Sequence, residues 1–566
     1  MSNFVIIGGV ALGPKVACRI KRMDPAAHVT VVDKDKYISY GGCGIPYYVG
    51  GDVPELSSLF STSAEILRDP PFFHNAKGVD VRVETEAVSI DRKTKSVRLK
   101  TPDGTLSDQP YDTLILATGA VPVIPPIPGA NLPGVTVIAT PHHAENIKKK
   151  IAGGEIEKAV VIGGGAIGLE MAEALGDLWG VETTLVEMAD QLLPGAVGPD
   201  MALPLKKHME DKGISICLSE QVNRIQGSAD TGISFVETTK RWIPCDLVVI
   251  AAGVRPNTHL AKQAGLEIGE TGGIRVDKHM RTSDLNIYAG GDCVEISHLV
   301  SGQPVHMPLG SLANRQGRVI GTNAAGGRAT FPGTVGTFCV KAFDMTVARA
   351  GLTIGQASAA GFDAVSAVVS QADRAHFYPT QQMMCMKLTA DRNSRQILGV
   401  EAIGGNGDAV KARVDAVAAL LPHKITVDVI SNLEVAYAPP FASAMDIINS
   451  VANVLENTIE GRHQPVDAVD FLSAFHSHNA RVLDVRSRVQ AEPYLEKYGR
   501  QWQNIPQEEL RNRLGEVKNG NAIYLLCGAG PRSYEAQLLL RQNGITDTKN
   551  IQGGMKMLQI SSSEFS

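Results

Sequence analysis

One local pattern occurs twice in this chain, and it fixes the kind of fold that can form around it. Phe4-Val5-Ile6-Ile7 is an apolar run that ends in Gly8-Gly9-Val10-Ala11-Leu12-Gly13, after which a helical segment continues through Met23. Ala159-Val160-Val161-Ile162 ends the same way, in Gly163-Gly164-Gly165-Ala166-Ile167-Gly168, followed by the helical Leu169 to Leu178. An uninterrupted apolar run suits a parallel strand buried on both faces. The first glycine permits the turn, the last lets helix and strand pack closely, and the helix N-terminus offers N–H donors to a pyrophosphate. Each copy has a second strand ending in an acid: Val29-Thr30-Val31-Val32 runs into Asp33, and Thr183-Thr184-Leu185-Val186 into Glu187. Both acids fall about 20 residues past the last glycine, where a carboxylate accepts ribose hydroxyl bonds. The pattern predicts two Rossmann-like nucleotide-binding folds, with Gly8, Gly9, Gly13 and Asp33 in the first and Gly163, Gly165, Gly168 and Glu187 in the second. The first copy carries Val10 at the middle glycine. Met188-Ala189-Asp190, after Glu187, supplies no arginine for a 2′-phosphate, which favours NADH over NADPH.

The 566 residues leave room for about four folding units. Fifty-four Lys and Arg against 59 Asp and Glu give a net charge of −5, so no global basic field is available for nucleic acid or an anionic membrane, and any anion site must be local. Eight cysteines without short repeated spacings form neither a disulfide framework nor a metal pattern, and fit a reducing cytoplasm. The first nine residues read as a strand entering a turn, not as a signal peptide. The longest uncharged stretch, Thr113 to Ala144, holds six prolines and cannot be a spanning helix.

Three more strands end in glycine. They close at Thr118-Gly119, at Ala252-Gly253, and at Gly290-Gly291-Asp292. This series resembles the pyridine nucleotide-disulfide oxidoreductases over about residues 1 to 450. The resemblance implies FAD in the first fold, with Thr118, Gly119 and Asp292 among its contacts and Asp292 on the ribityl chain. It implies NAD in the second fold, with Gly253 at its closing turn. It also implies a discontinuous FAD domain (1–112 and 254–325), an NAD domain with linkers (113–253), and an α+β interface domain (326–455) that makes a homodimer.

Ser39-Tyr40-Gly41-Gly42-Cys43-Gly44-Ile45-Pro46 sets one cysteine among glycines, with Pro46 suited to a helix's first turn. A thiol at a helix N-terminus is biased toward thiolate, which makes Cys43 the first catalytic candidate. By the resemblance, family members with an internal cysteine pair carry the second cysteine five residues on, and here that position is Tyr48, so no such pair forms. This matches the family's single-cysteine branch of coenzyme A disulfide reductases, NADH oxidases and peroxidases, and NADH-dependent persulfide reductases. Lys15, Arg19 and Arg22 fall on one face of the first helix; by the resemblance that face and Ser39 hold coenzyme A. The segment around Tyr437 matches the one whose tyrosine reaches the partner subunit's active site. Of the family's tyrosine pair, this chain has Phe377-Tyr378, so Tyr378 alone keeps a hydroxyl. The cysteines at 18, 217, 245, 293, 339 and 385 read as packing.

Beyond a polar linker (456–465), Arg481 to Arg486, Asn504 to Leu514 and Ala522 to Cys527 alternate strand and helix, and Cys527-Gly528-Ala529-Gly530-Pro531-Arg532-Ser533 forms a loop whose N–H groups can surround a sulfur anion. This resembles a rhodanese α/β domain (466–566), in which Cys527 carries a persulfide and Arg532 closes the active loop. The whole chain resembles the fusions of coenzyme A disulfide reductase with rhodanese. The expected activity is NADH-dependent reduction of CoA persulfide, polysulfide or related sulfane sulfur to sulfide, with FAD, NADH and coenzyme A as cofactors and Cys527 as sulfur acceptor or relay. Two alternatives stand beside it: a CoA disulfide reductase or NADH oxidase/peroxidase, and a carrier or sensor whose flavin half sets the redox state of Cys527.

Overall fold

The computed structural model describes residues 2–230, 232–517 and 522–565, so part of the expected C-terminal domain, 518–521 and Ser566, lies outside it. The chain forms two compact units. One comprises residues 1–188 and 220–334, the other 189–219 and 335–566.

In the first unit, strands β1 (Asn3–Ile7), β2 (His28–Val32), β3 (Asp80–Arg82), β4 (Thr113–Leu116), β5 (Val135–Val137), β6 (Lys158–Ile162), β7 (Glu182–Val186), β8 (Leu247–Ile250) and β9 (Ile287–Ala289) build two parallel sheets. The first runs β9-β4-β1-β2-β3 and the second contains β7-β6-β8-β5. Helices α1 (Leu12–Met23) and α3 (Ala166–Gly176) follow β1 and β6, with the short α2 (Ile45–Val49) between them in sequence and α4 (Gly310–Ala324) closing the unit. Strands β1, β4 and β6 are buried almost throughout, as their unbroken apolar sequences require.

The expected boundary at residue 113 sets β4 outside the FAD domain, although this strand's end at Thr118-Gly119 is itself expected to serve FAD in the first fold. β4 pairs in parallel with β1 on one side and β9 on the other, at the centre of the first sheet. A crossover places strands distant in sequence side by side, so contiguous boundaries misassign them.

The second unit holds an antiparallel sheet and a parallel one. Strands β10 (Phe338–Ala342), β11 (Met345–Gly351), β12 (Ala364–Ala372), β13 (Met383–Asp391) and β14 (Ile397–Gly404) form the first in the order β10-β11-β14-β13-β12. Strands β15 (Pro465–Val466), β16 (Arg481–Asp484), β17 (Trp502–Asn504), β18 (Ile523–Leu526) and β19 (Thr548–Ile551) form the second, all parallel, in the order β15-β19-β18-β16-β17. Helix α5 (Pro531–Gln542) follows β18 directly. The helix expected to stop at Leu455 runs from Ile447 to Ile459, four residues into the expected linker. Its polar end is held: the Arg395 guanidinium reaches Glu456 at 3.2 Å and Glu460 at 3.5 Å, and the Thr458 hydroxyl donates to the Val454 carbonyl. Cys339, read as packing, is exposed. It lies on β10 at the edge of its sheet.

A buried charge cluster ties the parts of this unit together. Lys387, on β13, is 1% exposed; its ammonium donates to Asp200 at 2.5 Å and to Asp467 at 3.3 Å. Burial opposes its charge, but the carboxylates of Asp200, Asp467 and Glu401 outweigh that and hold the ammonium protonated. Glu401 in turn accepts the Gly198 N–H at 2.5 Å. Replacing Lys387 by Met leaves these acids facing one another without their cation, which is expected to cost about 3–5 kcal/mol, read as a lowered urea midpoint for the second unit.

Candidate active site

The two dinucleotide turns are built alike. The Gly8 N–H donates to the Val32 carbonyl at 2.9 Å and the Gly163 N–H to the Val186 carbonyl at 2.8 Å. Both glycines have φ +112°, and a Cβ there would stand 2.1 Å from the Ala117 carbonyl oxygen or 2.4 Å from that of Ala251. The last glycines serve packing: a Cβ on Gly13 or Gly168 would stand 1.9 Å from the carbonyl oxygen of the first glycine of its turn. The acids do something the sequence did not announce. Asp33 accepts the Gly9 N–H at 2.6 Å, and Glu187 accepts the Gly164 N–H at 2.6 Å, so one oxygen of each fixes its own turn.

These turns have room for a ligand. At Gly165, Gly119 and Gly253 a Cβ would meet nothing within 4 Å, so bare backbone faces open space beside the strand ends. Thr118 is tied by its hydroxyl to the Asn257 carbonyl at 2.7 Å. Asp292 takes its place after Gly291, with its own carbonyl accepting from His306 Nε2 at 2.8 Å; burial pushes its carboxyl up, opposed by His306.

Cys43 lies in a single 3₁₀ turn, Gly42–Gly44, that leads into α2. Its residue surface is exposed, and a Cβ on Gly310, the first residue of α4, would stand 4.0 Å from the sulfur. The surroundings of the sulfur oppose the expected thiolate bias. Burial pushes the thiol pKa up, and the carboxylates of Glu170 and Asp292 add to it. The five-residue α2 is too short to offset them. Tyr48 stands where a second cysteine would be, with the Lys148 ammonium 4.1 Å above its ring.

The basic face of α1 is divided by packing. Lys15 and Arg19 lie with their stems against Gly317 and Gly321 of α4, and the Arg19 Nε donates to the Thr322 hydroxyl at 2.9 Å; Arg22 is exposed. Ser39 is buried at φ +51°, a conformation uncommon outside glycine, and its N–H donates to the Gly9 carbonyl at 2.7 Å. The turn before Cys43 is therefore anchored to the first dinucleotide turn.

In the second unit, Tyr437 is exposed, as are two apolar side chains further along the same segment, Phe441 and Met445. Their segment is joined to that of Phe377 and Tyr378 by the Ala375 N–H, which donates to the Pro439 carbonyl. The Cys527 sulfur is almost wholly buried. It accepts from the Gly530 N–H at 3.1 Å and from the Ser533 hydroxyl at 3.3 Å. The Arg532 guanidinium lies over the loop, 3.6 Å from where a Cβ on Gly528 would stand. Below it, the N–H groups of Met555 and Lys556 donate to the carbonyls of Cys527 and Gly528; Gly554, with a Cβ position 2.7 Å from the Cys527 carbonyl oxygen, admits no side chain. Ser533, which follows the loop's arginine, is a contact that sequence reasoning placed in the loop without a role.

Residues 2–317 match the pyridine nucleotide-disulphide oxidoreductase family. The chain belongs to it. Residues 337–447 match the same family's dimerisation domain. Membership implies FAD and NAD(H) as cofactors, which the open glycine turns fit. The oxidoreductase is 34% identical over 453 residues to the NAD(P)H sulfur oxidoreductase (CoA-dependent) of Pyrococcus abyssi, covering 80% of this chain and 98% of that protein. Among solved structures, a NAD-dependent persulfide reductase from A. fulgidus superposes with a TM-score of 0.92 at 40% identity, over 98% of this chain and 99% of the other. Bacillus anthracis CoADR-RHD, in its reduced form, superposes at 0.90 and 32% identity, over 100% and 98%. Among the described residues no helix is long and apolar enough to cross a membrane, and no His/Cys/Asp/Glu group could hold a metal ion.

Proposed function

We propose that this oxidoreductase reduces the sulfane sulfur of small persulfides or polysulfides, with CoA persulfide as the leading candidate, to sulfide at the expense of NADH. The observation that carries the reading is the pairing, in one chain, of an unpartnered cysteine turn at Cys43 with a second cysteine, Cys527, held by an N–H and a hydroxyl after a parallel strand. The likeness to the sulfur oxidoreductase of P. abyssi and the persulfide reductase of A. fulgidus supports the substrate class. The C-terminal domain is read as a rhodanese and its cysteine as the sulfur acceptor or relay.

The reaction balances as RSSH + NADH + H⁺ → RSH + H₂S + NAD⁺. Bound at the first turn, FAD supplies the chemistry of passing the two electrons of NADH to a sulfur–sulfur bond. The Cys43 thiolate attacks the persulfide; a Cys43–S bond forms, the S–S bond of the substrate breaks, and the expelled thiolate takes a proton. The two electrons then cleave the new S–S bond, release the second sulfur species and restore the Cys43 thiolate. Gly8, Gly9, Gly13, Asp33, Thr118, Gly119 and Asp292 are assigned to FAD, and Gly163, Gly165, Gly168, Glu187 and Gly253 to NADH. Lys15, Arg19, Arg22 and Ser39 are assigned to the CoA end of the substrate. A homodimer would cover the exposed Tyr437 and Phe441, bringing Tyr437 to the partner's site as donor to the leaving thiolate.

A second reading, CoA disulfide reduction, is favoured by the full-length likeness to CoADR-RHD. Anaerobic NADH oxidation with CoA persulfide, polysulfide, CoA disulfide and peroxide, each followed for sulfide, separates the two. Persulfide is expected to give the fastest turnover, with sulfide released one for one with NADH. Turnover confined to the disulfide or to peroxide overturns the proposal.

A further inference from the structure

Cys527 shares a hydroxyl with a backbone carbonyl, and the proposed sulfur chemistry gives that sharing a use. The Ser533 side chain, in the first turn of α5, is fully buried. Its oxygen lies 2.9 Å from the Gly530 carbonyl oxygen and 3.3 Å from the Cys527 sulfur. A hydroxyl carries one hydrogen, so it serves one of these acceptors at a time. The carbonyl has two further donors, the Tyr534 N–H at 3.0 Å and the side-chain amide of Asn550, on β19, at 3.4 Å. That amide is itself held. The Thr458 hydroxyl gives its hydrogen to the Val454 carbonyl, so its oxygen accepts at 3.1 Å from the Nδ1–H of His463. The His463 Nε2 is then bare and accepts from the Asn550 nitrogen at 3.0 Å. Burial, helped by the Arg541 charge, pushes His463 down to about 4, so the ring is neutral near neutral pH and keeps that bare nitrogen. Both neighbours of the Asn550 nitrogen are acceptors, which fixes the way the amide points.

We propose that Ser533 is a donor that follows the charge of Cys527, and that the Asn550–His463 pair covers the Gly530 carbonyl when the hydroxyl leaves it. This rests on Cys527 being the sulfur acceptor of the proposed function. With the sulfur neutral, the carbonyl at 2.9 Å is the better acceptor. With the sulfur anionic, a charge-assisted bond is stronger, and the hydrogen turns to it beside the Gly530 N–H. The carbonyl keeps the Tyr534 N–H and the Asn550 amide, so the move leaves no buried acceptor unpaired there. The step served is sulfur uptake, Cys527–S⁻ + RSSH → Cys527–SS⁻ + RSH. The thiolate attacks the outer sulfur, a Cys527–S bond forms, the RS–S bond breaks, and the persulfide proton goes to the leaving thiolate. The charge now sits on the outer sulfur, and the hydroxyl returns to the carbonyl. When that sulfur is passed on, Cys527 is the leaving group and the hydrogen turns to it again.

In the flavin-loaded full-length protein, Ser533→Ala is expected to slow sulfur uptake at Cys527 from glutathione persulfide about threefold, read by peptide mass against time. One donor to an anion is worth about tenfold in its population, and the greater nucleophilicity of a less stabilised thiolate takes back part of this. The fall lies in the limiting rate. The half-saturating persulfide concentration is unchanged, because Ser533 touches the sulfur and not the incoming persulfide. Asn550→Ala strips the cover from the carbonyl and so keeps the hydroxyl there, slowing uptake by about twofold. The double variant is expected to match Ser533→Ala alone, whereas two unconnected structural defects would multiply. Wild-type uptake in a folded Ser533→Ala variant overturns the proposal, and effects that multiply overturn the role of Asn550. If Ser533→Ala does not fold, wild-type uptake in Asn550→Ala overturns it. Iodoacetamide labelling of Cys527 reads the same thiolate without a sulfur donor, and the same fall of about threefold is expected. A wild-type chain that takes up no sulfur therefore sinks the carrier reading, while the labelling rates decide the role of Ser533 on their own.

Discussion

Serine in place of Cys43 is expected to abolish NADH-dependent sulfide release from every small persulfide, by at least about a thousandfold, as for other covalent nucleophiles. The reason is local. Tyr48 occupies the position from which a second cysteine could attack, and among the described residues all eight cysteines are free, so no neighbouring disulfide can substitute. A serine hydroxyl does not ionise near neutral pH and forms no bond to sulfane sulfur that the flavin could reopen. The loop itself should survive, because Gly41, Gly42 and Gly44 and the anchored Ser39 shape it without help from the sulfur. NADH should still bleach the flavin in rapid-mixing absorbance, since both dinucleotide turns are untouched. Sulfide release that persists in this variant sinks the assignment of Cys43.

The second large effect is expected at the other sulfur. After incubation with a sulfane donor, the wild-type Cys527 peptide should carry the mass of one added sulfur atom, and Cys527→Ser should carry none. The substitution is close to isosteric in a site only 1% exposed, and its hydroxyl can take the Gly530 N–H bond that the sulfur accepts, so the fold should hold. Turnover of free persulfides at Cys43 is then expected to change by no more than about twofold, while turnover with donors that must first load Cys527 disappears. Full activity with every donor would remove the relay and leave the flavin reading intact.

Much of this was legible because it is local. The turns at Gly8 and Gly163, with Asp33 and Glu187 beyond them, are specified within one strand-helix-strand unit each, and the structure reproduces the same hydrogen bonds in both copies. The loop from Cys527 to Ser533 is equally compact. What the sequence concealed is spread along the chain. Tyr47 and Glu170 are 123 residues apart, and Lys387 meets Asp200 across 187. Glu170 in isolation reads as a solvated helix position, and Lys387 as a surface lysine. The thiolate bias expected at Cys43 failed for this reason: the helix after it could be read from Pro46, but the two carboxylates that oppose it come from α3 and from the end of the first sheet. The boundary at residue 113 failed because strand order, unlike strand identity, is set by crossovers.

The Gln552 side chain has a consequence for how the C-terminal domain is held. Its Oε1 accepts the Val368 N–H of β12 at 2.8 Å, while its Nε2 donates to Asp467, a partner of Lys387, at 2.5 Å. β12 is the last strand of its sheet, and an uncovered edge of that kind is a template for recruiting a strand from another molecule. The C-terminal domain thus occupies one backbone donor of that edge strand. A chain cut short at residue 464 would not be the flavin half set free, but a protein with an open edge and a lysine missing one of its counter-charges.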